Sequence, residues 1–160
     1  MNATIEQAIS LRREGRYADS RSLLESLLDN RKTSSLAHLH IAWSFDNEGL
    51  EQEAVDHYKA SLSGELSKSD LYEALFGLAS TLRSLGRYDE AMASFQRLLT
   101  EFPEEESFLP FYAMCLYNQG EHKQSVQLLL TLLADTTASE AIRDYERAIR
   151  LYADDLGRKW

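Results

Sequence analysis

One cysteine, two prolines and seven glycines are all that this 160-residue chain holds of the residues that staple, break or loosen a fold. A lone Cys115 forms no internal disulfide, which suits a reducing compartment and leads to a cytoplasmic expectation. So few prolines and glycines favour long helices joined by short turns. Basic residues are scarce too: 17 Lys and Arg against 26 Asp and Glu leave a net charge of −9. With no basic stripe either, the electrostatic footprint of a nucleic-acid binder is missing. No run approaches the roughly 18 apolar residues of a membrane span. The greasiest patch, Val126 to Leu133, is broken by Gln127 and Thr131 and suits a buried helix. The start, Met1-Asn2-Ala3-Thr4-Ile5-Glu6, lacks the basic and apolar segments of a secretory signal. What remains is ordinary for a folded chain, 44% hydrophobic and 27% charged, at a length that suits one compact unit over residues 1–160.

Glycine is rare but regularly placed. Gly15-Arg16-Tyr17, Gly49-Leu50-Glu51, Gly86-Arg87-Tyr88 and, more weakly, Gly120-Glu121-His122 follow one another at intervals of 34, 37 and 34 residues. A period of about 34 residues is the mark of a helical hairpin repeat. Apolar residues recur at helical spacing on both sides of each glycine. They are Ile5, Ala8, Ile9 and Leu11 before Leu23, Leu24, Leu27 and Leu28, then Leu39, Ile41, Ala42 and Phe45 before Ala54, Val55, Tyr58 and Leu62. The third set is Leu75, Leu78, Ala79 and Leu82 before Ala91, Phe95, Leu98 and Leu99. The fourth is Leu109, Tyr112, Ala113 and Leu116 before Val126, Leu129, Leu132 and Leu133. Each glycine closes a helix in a left-handed conformation. Ala42, Ala79 and Ala113, with Ala54 and Ala91 and the small Ser20 and Ser125, sit where paired helices must approach closely. The serine-rich stretch 61–70 forms a longer turn, with Ser69 or Asp70 as the next helix cap. Glu104-Glu105-Glu106 reads either as an acidic docking spot or as a solvated loop beside a helix N-terminus. A last helix is expected over 139–155, with Ala141, Ile142, Tyr145, Ala148, Ile149 and Tyr152 on its apolar side, capping the stack. Trp160 is expected to fray.

The pattern resembles the tetratricopeptide repeat. Leu75, Leu78, Ala79, Leu82, Gly86, Tyr88, Ala91, Phe95 and Pro103 of the third unit all fall at family positions. Glu51 and His122 replace the usual aromatic in the second and fourth units, which also lack the family proline; Thr4 and Gln7 replace apolar residues in the first. The resemblance implies an all-α right-handed superhelix of stacked hairpins over about 2–34, 35–68, 70–104 and 106–137, with the capping helix after them. It further implies that the first helices line a concave face. Carried across by position, the lining holds Ile5, Ile9, Arg12 and Arg13, then Leu36, Leu39, His40, Trp43 and Asn47. Glu73, Phe76, Ser80 and Arg83 follow from the third unit, and Phe111, Met114, Tyr117 and Asn118 from the fourth. Arg143, Arg147 and Arg150 of the last helix can face the same way or lie on a solvated face, paired with acidic neighbours. Leu39, Trp43, Asn47, Phe76, Arg83, Phe111, Met114, Tyr117 and Asn118 are the chosen partner-binding residues. Trp43 either anchors a partner or packs against Phe76 and stiffens the stack. The lysine and asparagine of relatives that clamp heat-shock chaperone tails are absent, because Ile5 and Ile9 stand there.

Chemistry-bearing motifs are few. His38 and His40 lie two apart on a helix and point to different faces, so they form no i, i+4 metal pair. His38 reads as a core residue; His57 and His122 look isolated, and Cys115 looks like a small packing residue. No phosphate loop or nucleophile elbow occurs, and no metal, cofactor or enzymatic activity is expected. The leading reading is a small bacterial, cytoplasmic adaptor binding a peptide segment of a protein partner. One alternative is a homodimer formed through Ile5, Ile9 and the leucines of 128–133; another is a chaperone of secreted, partly unfolded substrates.

Overall fold

The computed structural model describes residues 3–159, so the expectation for Trp160 falls outside the described residues. Ten helices make up all the regular structure among them. The chain divides at Pro103 into two compact units. The first holds α1 (Ala3–Arg13), α2 (Tyr17–Glu25), α3 (Ser34–Glu48), α4 (Glu51–Ser61), α5 (Lys68–Ser84) and α6 (Tyr88–Glu101). They pair as three hairpins, α1 with α2, α3 with α4 and α5 with α6, and each hairpin packs on the next. The second holds α7 (Leu109–Asn118), α8 (His122–Thr136), α9 (Glu140–Arg143) and α10 (Glu146–Asp154), with α8 packed between α7 and α10.

All four turn glycines take positive φ, from 74° at Gly86 to 86° at Gly120. The residue after each sends its N–H back to an apolar residue's carbonyl, Arg16 to Leu11, Leu50 to Phe45, Arg87 to Leu82 and Glu121 to Leu116, each at 2.9 Å. A left-handed residue lets the chain reverse while these last carbonyls keep a partner, which is why glycine recurs here.

Within the hairpins the small residues act as anticipated. Ala42, Ala54, Ala79, Ala91 and Ala113 are fully buried. The two serines add more than small size. Ser20 Oγ donates to the Ala8 carbonyl at 2.8 Å, and Ser125 Oγ donates to the Ala113 carbonyl at 2.7 Å. Each hydroxyl bridges the two helices of its own hairpin. In the first unit Ile5, Ala8, Leu24, Ala37 and Ile41 form one core, with Ile9, Leu23, Leu27 and Leu28 packed at its edge. Ile5 is therefore not a groove residue, nor is it available for dimerisation.

A buried polar network ties α3, α4 and α5 together. The Tyr58 hydroxyl donates to Asp46 at 2.5 Å, and Thr81 Oγ1 donates to the same carboxylate at 3.1 Å. Burial pushes the Asp46 carboxyl upward against the opposing pull of these two hydrogen bonds. The Tyr58 ring crosses α5 at Gly77, where a Cβ would stand 2.5 Å from ring carbons. Gly77 is thus fixed by close packing rather than by its backbone.

Several expectations need correction. Ser67, not Ser69 or Asp70, caps α5: its hydroxyl accepts from the Asp70 N–H at 3.1 Å. Val126, Leu129 and Leu133 were placed in the core but are 42%, 41% and 39% exposed. The buried residues of α8 are instead Ser125, which bonds to α7, and Ala134, on the opposite side of the helix. The single last helix is two, broken at Asp144–Tyr145, where the Tyr145 N–H makes a tight-turn bond to the Ile142 carbonyl at 3.0 Å. Tyr145 and Tyr152 face solvent, and Ala153 is the buried residue of α10.

Candidate functional site

In the first unit α3 is the central element, touching α1, α2, α4 and α5. A helix with that many neighbours has little free face, and Ser35, Ala37, Leu39, His40, Ile41, Ala42 and Ser44 are all buried. Leu39, expected in the groove, is fully covered, and His40 nearly so. The register that escapes burial passes through half-buried Trp43 and exposed Asn47.

Trp43 is held from two sides. The Arg12 guanidinium of α1 lies over the indole, 5.0 Å from its centroid, and the His40 ring meets it edge-on at 4.9 Å. Such cation–π contacts contribute about 0.5–2 kcal/mol, more as water is excluded. Arg12 is half-buried and makes no ion pair among the described residues. Desolvation lowers its pKa, against an opposing pull from Tyr58 and with the neighbouring Arg13 adding to the lowering. A partly desolvated cation without an anionic partner is an open demand for one. His40 sits behind it, its pKa driven down to about 4 by burial and then by Arg12, against a smaller upward pull from Asp70. Its Nδ1 is buried without a hydrogen-bond partner.

On α5, Phe76 is half-buried beside Tyr72, their ring centroids 6.1 Å apart, and Tyr72 meets Phe102 edge-on at 5.2 Å. Lys68 Nζ lies 5.8 Å from the Phe102 ring centroid. Arg83 is half-buried about two turns further along the same face. The remaining chosen residues belong to the second unit. On α7, Phe111 is half-buried, while Met114, Tyr117 and Asn118 are exposed. Tyr117 stacks on His122 at 4.5 Å, so His122 is not the isolated residue it looked to be. Arg150 is bound to Asp135 at 2.7 Å and to Glu146 at 2.9 Å, and Arg143 Nε donates to the Thr137 carbonyl at 3.1 Å. These arginines are engaged inside their own unit.

Two features of the first unit escaped sequence reasoning. His38 is half-buried rather than core, and its Nδ1 lies 2.9 Å from His57 Nδ1 on α4. A cavity of about 960 Å³ opens beside it, its border mixing the acidic Asp29 and Glu65 with the basic Arg31 and Lys32. None of the chosen residues lines that cavity. No helical spacing signals either feature, because both depend on how separate helices come together. Among the described residues no group of three or more His, Cys, Asp or Glu side chains is arranged around a common metal position. No helix among them is long and apolar enough to cross a membrane.

Paired antiparallel helices closed by left-handed glycines and stacked hairpin on hairpin define a helical-repeat protein. A profile of the Tetratrico peptide repeat matches residues 35–156, and the chain belongs to that family. Two solved structures share the fold: TPR-like repeats of a kinesin-light-chain-related protein of Podosopora anserina, and a single-substitution variant of it. The first has TM-score 0.68 and 18% identity over 96% of this chain and 90% of that one. The variant has 0.69 and 17% over 97% and 86%. Among curated proteins, the photosystem I assembly protein Ycf3 of Synechococcus sp. (strain WH7803) is 35% identical over 77 residues, 48% of this chain and 40% of the relative. Its counterpart in Prochlorococcus marinus subsp. pastoris is 29% identical over 106 residues, 66% of this chain and 60% of the relative. The matched segments thus span less than two thirds of those relatives.

Proposed function

We propose that this protein is an adaptor that holds a peptide segment of a protein partner, with Trp43 and Phe76 as apolar anchors on the first unit. One observation carries this reading. Arg12 is held half-buried over a half-exposed indole and makes no ion pair among the described residues, an arrangement that costs desolvation and gains when an acidic group arrives. The partner segment therefore combines a large apolar side chain with a nearby carboxylate. Asn47 and Arg83 supply further polar contacts. The curated relatives are named for assembly of photosystem I, which supports a role in holding a subunit during assembly of a larger complex. Catalysis has no place in this reading.

The test is affinity capture from native-host lysate with the wild type and with Trp43→Ala/Phe76→Ala, bound proteins being read by mass spectrometry. A protein recovered by the wild type and lost by the double variant, with helicity unchanged, is the expected result. Equal recovery by a folded double variant would move the site elsewhere.

A second reading, self-association, draws on the second unit. Val126, Leu129 and Leu133 form one exposed apolar stripe on α8, and contiguous apolar surface of that kind commonly marks an interface. Sedimentation showing only monomer at tens of micromolar would remove it.

A further inference from the structure

His38 and His57 come from the two helices of one hairpin, and their rings lie 5.1 Å apart at 45° with the Nδ1 atoms 2.9 Å from each other. Two positively charged imidazoles cannot share that contact, and two neutral ones can: one Nδ1–H donates and the other Nδ1 accepts. Burial depresses both pKa values; His38 and Arg21 lower that of His57 further, while Asp56 and Glu25 pull it upward. At neutral pH both rings are therefore uncharged, the form in which imidazole binds metal ions. Neither ring is sealed in, and His38 borders the cavity through which an ion can approach. Phe45 flanks the His57 ring at 5.4 Å, and Arg21 stacks on Phe45 at 4.2 Å.

Two metal–nitrogen bonds of about 2.0–2.1 Å set their nitrogens about 2.9 Å apart at a right angle and about 3.4 Å apart at a tetrahedral one, so a small turn of the rings brings both Nδ1 atoms within reach of one ion. We infer that His38 and His57 form a two-nitrogen site for a divalent transition-metal ion; the rise in affinity of nitrogen donors through Ni²⁺ to Cu²⁺ favours the Cu²⁺ and Ni²⁺ class, with Zn²⁺ held more weakly than Cu²⁺. On binding, the proton on one Nδ1 moves to Nε2 of the same ring, so both Nδ1 lone pairs become ligands and neutral rings release no net proton. Each ring turns to aim its lone pair off the line joining the nitrogens. No third protein ligand is arranged with them among the described residues, so water fills the other positions and the ion exchanges. Asp56 and Glu25 add favourable negative potential. The Arg21 charge opposing it is largely compensated by its ion pair with Glu48 at 2.6 Å.

Calorimetric titration of the tag-free protein with Ni²⁺ at neutral pH in a non-coordinating buffer tests the site. Wild type is expected to take up one ion per chain, His38→Gln and His57→Gln each to bind at least about tenfold more weakly, and His122→Gln to match wild type. Substoichiometric Cu²⁺ on wild-type protein, followed by NMR, gives a readout that needs no variant, with line broadening centred on His38 and His57. No uptake by wild type, equal uptake by both folded glutamine variants, or broadening centred elsewhere would overturn the inference.

Discussion

Up to Pro103 the chain hides polar groups, and from Glu104 on it displays apolar ones. Among the described residues seven of the eight buried polar side chains lie in the first unit, and only Ser125 lies in the second. Of eleven exposed large hydrophobics, only Leu50 and Leu99 belong to the first. The difference is one of neighbours. Helix α3 touches four others, and its Asp46 carboxylate is held by Tyr58 and Thr81 in an arrangement that fits one register only. Helix α8 packs between α7 and α10 within its unit, and two of its five leucines, Leu129 and Leu133, stay exposed. Buried polar contacts specify an arrangement; uncovered apolar residues leave surface free for another molecule. Both units still share one device, a serine hydroxyl bridging the two helices of the α1–α2 and the α7–α8 hairpin.

The sharpest way to break the contrast is a pair of truncations. Phe95→Ala should cost about 3–5 kcal/mol in urea unfolding, because its ring is wholly buried in the first unit. Val126→Ala, on the exposed stripe of α8, should stay within about 0.5 kcal/mol. Comparable losses would mean that the stripe is covered in solution.

Acid should then act through the first unit. His40 titrates at about 4 in the folded chain against 6.5 ordinarily, so as pH falls the unfolded chain takes up its proton first. This stability is fully present above about 6.5 and is lost as pH falls toward about 4, on the order of 3 kcal/mol in all. Half-buried His38 and His57, shifted the same way, add to the loss, whereas Asp46, whose pKa burial raises, works in the opposite direction. Unfolding measured at pH 7 and 4.5 should show this drop, and His40→Gln should flatten it. An equal slope in that variant would assign the acid sensitivity elsewhere.

The smallest effect probes the shared device. Ser20→Ala and Ser125→Ala should each cost about 0.5–1.5 kcal/mol, since each removes one interhelical hydrogen bond and leaves a tolerated alanine. A much larger loss for one of them would show that the two hairpins are not closed alike.

How much of this was legible in the sequence follows from what each feature depends on. The glycine turns and the alanine approach points are local or recur at nearly regular intervals, so spacing alone reveals them. The partial exposure of Trp43 was legible because Ile41 and Ala42 take the core-facing registers of the same helix. Leu39 was misplaced because a family position says which way a residue points and not how many helices crowd it. Val126, Leu129 and Leu133 fit a helical period, yet period does not tell which stripe meets a neighbour. The Arg12–Trp43 stack and the His38–His57 pair join residues from different helices, and no one helix's pattern contains them. Gly77 is explained only by the Tyr58 ring of another helix packed across it.

The most direct test of the first unit as the recognition surface is amide hydrogen exchange of the protein with and without its captured partner. Slowed exchange along α1, α3 and α5, centred near Trp43, is the result expected if Arg12, Trp43 and Phe76 hold the partner segment. Protection confined to α8, with α3 unchanged, would contradict it and give the binding role to the exposed leucines instead.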